Sequence, residues 1–415
     1  MQFFPSMARF RQCFEVDSIG DVAVAVREQL AAADLKKAIA PGARIAVTGG
    51  SRGIDEIALI TRTVIDCIRE CGGRPFVLPA MGSHGGATAA GQKAVLASYG
   101  ISQESMGVPV EATMDVVQVD ALDDDTPVFV NRLALEADGI VLVNRIKPHT
   151  SFRGPHESGL MKMLTIGLGC HRGATLAHSQ GAQGLTRMVP GIARAMMKKT
   201  RVAMGVAIIE NAYEKTARIA CMPADQIEQR EPELLAQARE AMPRLMVQGI
   251  DLLIVDEMGK DISGTGMDTN VIGRMMLPGV AEPEIPGVSR IVVRDLSERT
   301  HGNANGVGLA DIITRRLFDR IDFKATYANA FTSTFLNRAY IPVIMETDRE
   351  AVSAVFDLLR MENPSQARVV RITNTLKLER IQISEALVSE FGGDPDLEQE
   401  SDLVPMVFSD AGALL

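Results

Sequence analysis

Cysteine is scarce in these 415 residues: five, at positions 13, 67, 71, 170 and 221, an odd number too scattered for a disulfide framework. That excludes a stapled secreted scaffold and points to a reducing cytoplasm. Long apolar runs are missing as well. Neither the start, "MQFFPSMARFRQCFEV", nor any later segment approaches the ~18 uninterrupted apolar residues of a membrane span, so neither signal peptide nor membrane anchor is expected. Positive charge is in deficit: 43 Lys and Arg against 52 Asp and Glu leave a formal net charge of -9. Such a surface repels phosphate backbones and speaks against a nucleic-acid partner. Heptads, fixed-period repeats and low-complexity tracts are absent too, which excludes coiled coils and repeat arrays.

What is present suits a globular chain. With 46% hydrophobic and 23% charged residues there is enough apolar material for more than one core, and the length predicts two domains. An amphipathic helix is predicted over residues 19–33, then the buried strand "RIAVTGG", a helix over 54–71, the strand "PFVLPAMGSHGG", the helix "TAAGQKAVLASYG" and the strand "DGIVLVNRIKPH". This alternation predicts an α/β fold whose first domain is a mostly parallel, doubly wound sheet. After a helix over 225–242, "GIDLLIVDEMGKDISGTGMD" begins a second alternating run, placing the domains at 1–246 and 247–415. The acidic "GGDPDLEQESD" reads as a solvated loop.

Three strand ends carry the polar or glycine-rich segments: "TGGSRG", "MGSHGG" and "NRIKPHTSFRG". In open α/β sheets ligands sit beyond the carboxyl ends of the strands, so these loops are expected to converge. The string "VTGGSRGI" is similar to the phosphate turn of short-chain dehydrogenases, which makes an NAD(P)-dependent dehydrogenase one alternative. The tyrosine that precedes a lysine by four residues in that family is missing here. Asp55 also replaces the last glycine of the turn, and "FVLPAMG" lacks the acidic residue that would hold an NAD ribose.

Four of the six histidines fall between Lys147 and His178. His84 and His149 each follow a buried strand and are candidate general acids or bases, against the plainer reading of loop-stabilising side chains. His156 and His171 neighbour charged residues and read as members of a solvated face. His178 has helical spacing from Ala174, which suits a metal ligand or a core histidine equally. Spacings of 7, 15 and 7 match no zinc motif, and Cys67 and Cys71, one turn apart, read as core. Lys162 stands among apolar neighbours, where either a lowered pKa or a snorkelling side chain is expected. Asn303, Asn305, Asn329 and Thr332 read chiefly as turn residues.

Taken together, "GSH" at His84, "PH" at His149, Lys162, and His178 sixteen residues later resemble the lactate racemase family, whose enzymes use a nickel-pincer nucleotide. The likeness runs from about Gly49 to His178, with weaker likeness in "MGKDISGTGMD" and "ERTHGNANGVGLAD". It implies that His84 and His149 are the catalytic pair, that Lys162 carries the nickel-pincer nucleotide covalently, and that His178 ligates nickel. It further places Arg52 in the active site. Arg52, the glycine-rich turns and Lys260 are the candidate donors for the substrate carboxylate and cofactor phosphate. If the glycine-rich loops of the second domain face the histidines, substrate is expected to bind in a cleft between the domains. Gly49 stands where lactate-specific members carry aspartate. Three extra residues separate His149 from Lys162, and "ESGLMK" replaces a glycine pair. The expectation is therefore an isomerase, a racemase or epimerase of a 2-hydroxy acid other than lactate, with cofactor-synthesis enzymes as partners. A non-catalytic small-molecule binding protein on the same fold is the remaining alternative.

Overall fold

The computed structural model describes residues 4–415, which form two compact units. One is Val16–Met242; the other joins the N-terminal residues up to Glu15 to Pro243–Leu415. The division falls four residues before the expected 246. The first strand, β1 (Ser6–Gln12), belongs with the C-terminal unit, where it will be seen to pair. Gln12 accounts for part of this. It is fully buried, and its amide donates to Leu378 O and Arg244 O and accepts from Met246 N.

The N-terminal unit contains β2 (Arg44–Gly49), β3 (Arg74–Pro79), the hairpin β4 (Val116–Ala121) and β5 (Pro127–Asn131), then β6 (Gly139–Arg145), β7 (Val202–Glu210) and β8 (Thr216–Pro223). Its main sheet has the order β3-β2-β6-β7-β8, parallel except for the last pair. Strands covered on both faces need apolar side chains at successive positions. Ile45–Val47 and Ile140–Val143 supply them, each at most 1% exposed. The helix Val22–Ala32 starts at Asp21, whose carboxylate accepts from Val24 N, and buries Val26 and Leu30. The helix Ile57–Glu70 turns Ile60, Val64 and Ile68 to the same core as Val47, Val77 and Val141. Each fully buried aliphatic contributes about 1.5–3 kcal/mol. Cys67 joins that core and Cys71 packs against it, as the spacing predicts.

Order within this sheet reverses beside β2: the chain goes from β2 outward to β3, then returns to lay β6 on the other side of β2. In open α/β sheets a reversal of this kind, here at the carboxyl ends of β2 and β6, is where ligands bind.

The C-terminal unit contains β9 (Ile250–Met258), β10 (Val288–Leu296), β11 (Ile312–Thr314), β12 (Val343–Met345), β13 (Val369–Ile372), β14 (Arg380–Ser384), β15 (Leu397–Gln399) and β16 (Val404–Pro405). Its sheet runs β12-β11-β10-β9-β13-β14-β1-β15, with β16 also on β1. Pairing is parallel from β12 to β13 and antiparallel beyond. The acidic stretch expected as a loop supplies β15, because buried Leu397 gives it a residue to dock and β1 offers an open edge.

Candidate active site

The carboxyl ends of β2 and β6 are tied to the segment that carries Lys162. Thr48 Oγ1 accepts from Val143 N at 2.9 Å and lies 2.8 Å from Met163 Sδ. Asn144 Nδ2 donates to Gly159 O at 2.8 Å. Lys162 ends a short helix, Leu160–Lys162, that continues as a π-helical turn over Met163–Leu168. Such wide turns shift side chains out of helical register and recur at functional sites.

The loop after β3 packs on that same turn. Gly82 N donates to Gly167 O at 3.3 Å, and Gln92 Nε2 donates to Gly82 O at 3.0 Å. Gly82 has φ +60, and a Cβ there would meet Ile166 and Ala174 at 3.1 and 3.2 Å, so glycine permits the approach. His84 is exposed two residues on, before the 3-10 turn Gly85–Ala87. It is thus held near the helix Cys170–His178, on which Ala174 and His178 sit one turn apart.

Electrostatics join Lys162, Arg52 and His178. Burial pushes the Lys162 amine down to about 7; Arg52 adds to the shift and Glu157 opposes it. Burial pushes His178 down to about 4, with the charge of Lys162 acting in the same direction. Arg52 is lowered by burial and by Arg145, against Tyr99. Arg145 is ion-paired with Glu210, whose Oε1 accepts from Asp55 N at 2.7 Å. Asp55 in turn accepts from Thr216 N at 3.0 Å and meets Lys215 Nζ at 3.1 Å. These bonds tie the "TGGSRG" turn to β7 and β8. Its helix begins only at Ile57, after Glu56 in a left-handed conformation without a side-chain cap. A dinucleotide turn instead aims a helix N-terminus at the pyrophosphate immediately after the glycines.

The His149 loop is anchored by a carboxylate. Glu157, fully buried, accepts from His149 N at 2.6 Å, Gly154 N at 3.2 Å and Arg239 Nη2 at 2.5 Å. The His149 ring lies against Phe152, centroids 4.4 Å apart, and its Nδ1 accepts from Ser151 N at 3.0 Å. With Nδ1 an acceptor, the neutral ring carries its proton on Nε2.

His156 is not on a solvated face as expected: it is 4% exposed, and its Nδ1 lies 3.6 Å from Glu231 Oε1. Glu231, 1% exposed, accepts on Oε2 from Leu160 N at 2.7 Å and Met161 N at 3.0 Å, capping the helix that holds Lys162. A Cβ on Gly159 would fall 2.5 Å from the Glu231 carboxyl carbon. The "ESG" before Lys162 is thus shaped to admit this carboxylate. His171 is exposed, as expected, beside Arg172, which stacks on Phe129 at 4.2 Å.

The structure therefore brings together Arg52, Lys162 and His178, with the His84 and His149 loops tied to the same framework. Lys260 and His301 belong to the C-terminal unit. Lys260 Nζ donates to Gly264 O at 2.5 Å and its N–H to Thr300 Oγ1 at 3.0 Å. Asn329 and Thr332 lie on the helix Phe323–Ser333, not in turns. Glu157, Glu231 and Glu210 escaped sequence reasoning because their partners are fixed only by folding; Gly159, which makes room for Glu231, was the one local signal. Among the described residues no group of three or more His, Cys, Asp or Glu could hold a metal. Nor, among the described residues, is any helix long and apolar enough to cross a membrane.

Residues 15–182 match the family model of the lactate racemase N-terminal domain. The fold is similar to that of the lactate racemase apoprotein from Thermoanaerobacterium thermosaccharolyticum, with a TM-score of 0.57 at 13% identity, covering 88% of this chain and 94% of that one. A protein from Thermotoga maritima aligns with a TM-score of 0.48 and 14% identity over 68% of this chain and 72% of that one. No curated protein matches the sequence.

Proposed function

Since residues 15–182 match the model of the lactate racemase N-terminal domain, we propose that the chain is a racemase or epimerase of a 2-hydroxy acid other than lactate, working with a nickel-pincer nucleotide held through Lys162. The observation that carries the reading is Lys162 itself: a buried amine near pKa 7, electrostatically coupled to Arg52 and to His178, at the start of a π-helical turn. A lysine that is half neutral at pH 7 is a competent nucleophile for covalent attachment, which an ordinary surface lysine is not. His178 fits the nickel: burial keeps its imidazole neutral, the form that donates to a metal.

When bound, the nucleotide would supply a hydride acceptor, which avoids forming a carbanion beside a carboxylate. What remains for the protein is proton transfer at the substrate hydroxyl. His84 and His149 serve opposite enantiomers, each alternating as base and acid, a role worth about 10²–10⁴ in rate. Proton exchange at His149 Nε2 requires the Ser151 contact to Nδ1 to be given up as substrate binds, because the imidazolium needs both nitrogens as donors. Arg52 is the cation for the substrate carboxylate, and burial strengthens that attraction. Lys260 is a second candidate cation for substrate. Cofactor-synthesis enzymes and a cytoplasmic setting belong to the same reading.

The test is racemisation in deuterium oxide, using loaded protein and a panel of chiral 2-hydroxy acids. Inversion with the Cα hydrogen retained supports the reading. Deuterium entering at Cα, or net conversion that depends on added NAD(P), would contradict it; the bonds that tie down the "TGGSRG" turn weigh against the latter.

A further inference from the structure

Arg338 in the C-terminal unit is the largest fully buried side chain among the described residues, 1% exposed. Its Nε, Nη1 and Nη2 have no hydrogen-bond acceptor among the described residues. Burial pushes the guanidinium down to about 10, so it stays charged at neutral pH. Glu282 is the carboxylate whose field favours that charge, yet both its oxygens are already engaged, by Met275 N at 2.5 Å and Met276 N at 2.6 Å. An uncompensated buried cation is among the least favourable arrangements a fold can hold. Buried Asn305 also has an Oδ1 without a donor, on the loop whose Gly306 N–H binds Arg338 O at 2.7 Å.

We propose that Arg338 anchors a buried oxyanion site in the C-terminal unit, taking a carboxylate or phosphate group against the guanidinium fork. Three unused nitrogens in one plane match the paired oxygens of either group. The neighbouring Ala304, Val307 and Leu309 are apolar and fully buried, so the interaction is little screened by water. The turn that carries Arg338 lies at the surface. Arg338 sits on the 3-10 turn Leu336–Ala339, between Leu336 at 49% and Tyr340 at 64% exposure, and Thr334 before it is in the left-handed region. This site is independent of the Lys162 reading and stands or falls separately.

Thermal unfolding of the full chain in dilute Tris chloride tests it, with sodium acetate, sodium phosphate or sodium chloride added at matched ionic strength. Acetate or phosphate, or both, should raise the transition of the C-terminal unit saturably, by roughly 5 °C or more at a hundredfold excess over Kd. In Arg338→Met that dependence should vanish. The variant should also melt above wild type without added oxyanion and below it at saturation, because replacing an unpaired buried charge by an apolar side chain stabilises. Whichever salt acts identifies the oxyanion source. An equal response to chloride, an equal response in the variant, or no response to either oxyanion overturns the proposal.

Discussion

Lys162 is costly to the fold, and the cost has a predictable pH dependence. Its pKa falls from the ordinary 10.5 to about 7 in the folded chain. At roughly 1.4 kcal/mol per unit this is a penalty on the order of 3–5 kcal/mol. Below about pH 7 both the folded and unfolded states hold the proton and the full penalty stands. Between about 7 and 10.5 the folded state has released it while the unfolded state keeps it, so stability rises with pH. Lys162→Met fills similar volume without the charge. Chemical denaturation should find the variant more stable than wild type by about 2–4 kcal/mol at pH 6–7, with the gain shrinking steadily towards pH 10. Competitive labelling with an amine reagent and peptide mass spectrometry should place the half-point of Lys162 near 7, well below other lysines. A variant no more stable at pH 7, a gain independent of pH, or a half-point above 9 would refute the reasoning.

Other perturbations follow from the same contacts. His178, held at about 4, should show no imidazole titration between pH 5 and 8 by NMR; since its folded pKa lies below the unfolded value, it lowers stability as pH falls from about 6.5 towards 4. Gly159→Ala drives a methyl group into the Glu231 carboxylate, and should cost about 2–3 kcal/mol in urea denaturation while making Lys162 more accessible to labelling. Glu157→Ala removes the acceptor for His149 N, Gly154 N and the half-exposed Arg239; with two part-buried N–H groups left without it, a loss of about 1–3 kcal/mol and faster proteolysis near residues 149–154 are expected. In loaded enzyme, His84→Ala or His149→Ala should each lower turnover in both directions by about 10²–10⁴, measured by chiral chromatography.

Much of the N-terminal unit is legible because its strands are covered on both faces. Runs such as Ile140–Val143 announce themselves, and polar loops at their carboxyl ends mark the site. Helix limits shift by a few residues where the cap is decisive, as at Asp21. Strand β1 was not assigned, because its partners lie hundreds of residues away in β14 and β15. Charge beside charge misled at His156 and Glu157: adjacent polar residues suggest solvent, whereas here each is buried against a group from the helix Ile227–Ala241. The set Arg52, Lys162 and His178 could be read through its resemblance to the lactate racemase family. The carboxylates that position the loops between them could not, since a buried acid is explained only by its partners.

Attachment at Lys162 is the central claim, and intact mass with nickel analysis tests it most directly. Wild type and Lys162→Ala would be produced alongside the cofactor-synthesis enzymes. The account predicts an adduct and about one nickel per chain in wild type, both lost in the variant. An unmodified, nickel-free wild type, when a control racemase loads normally in the same cells, would contradict it.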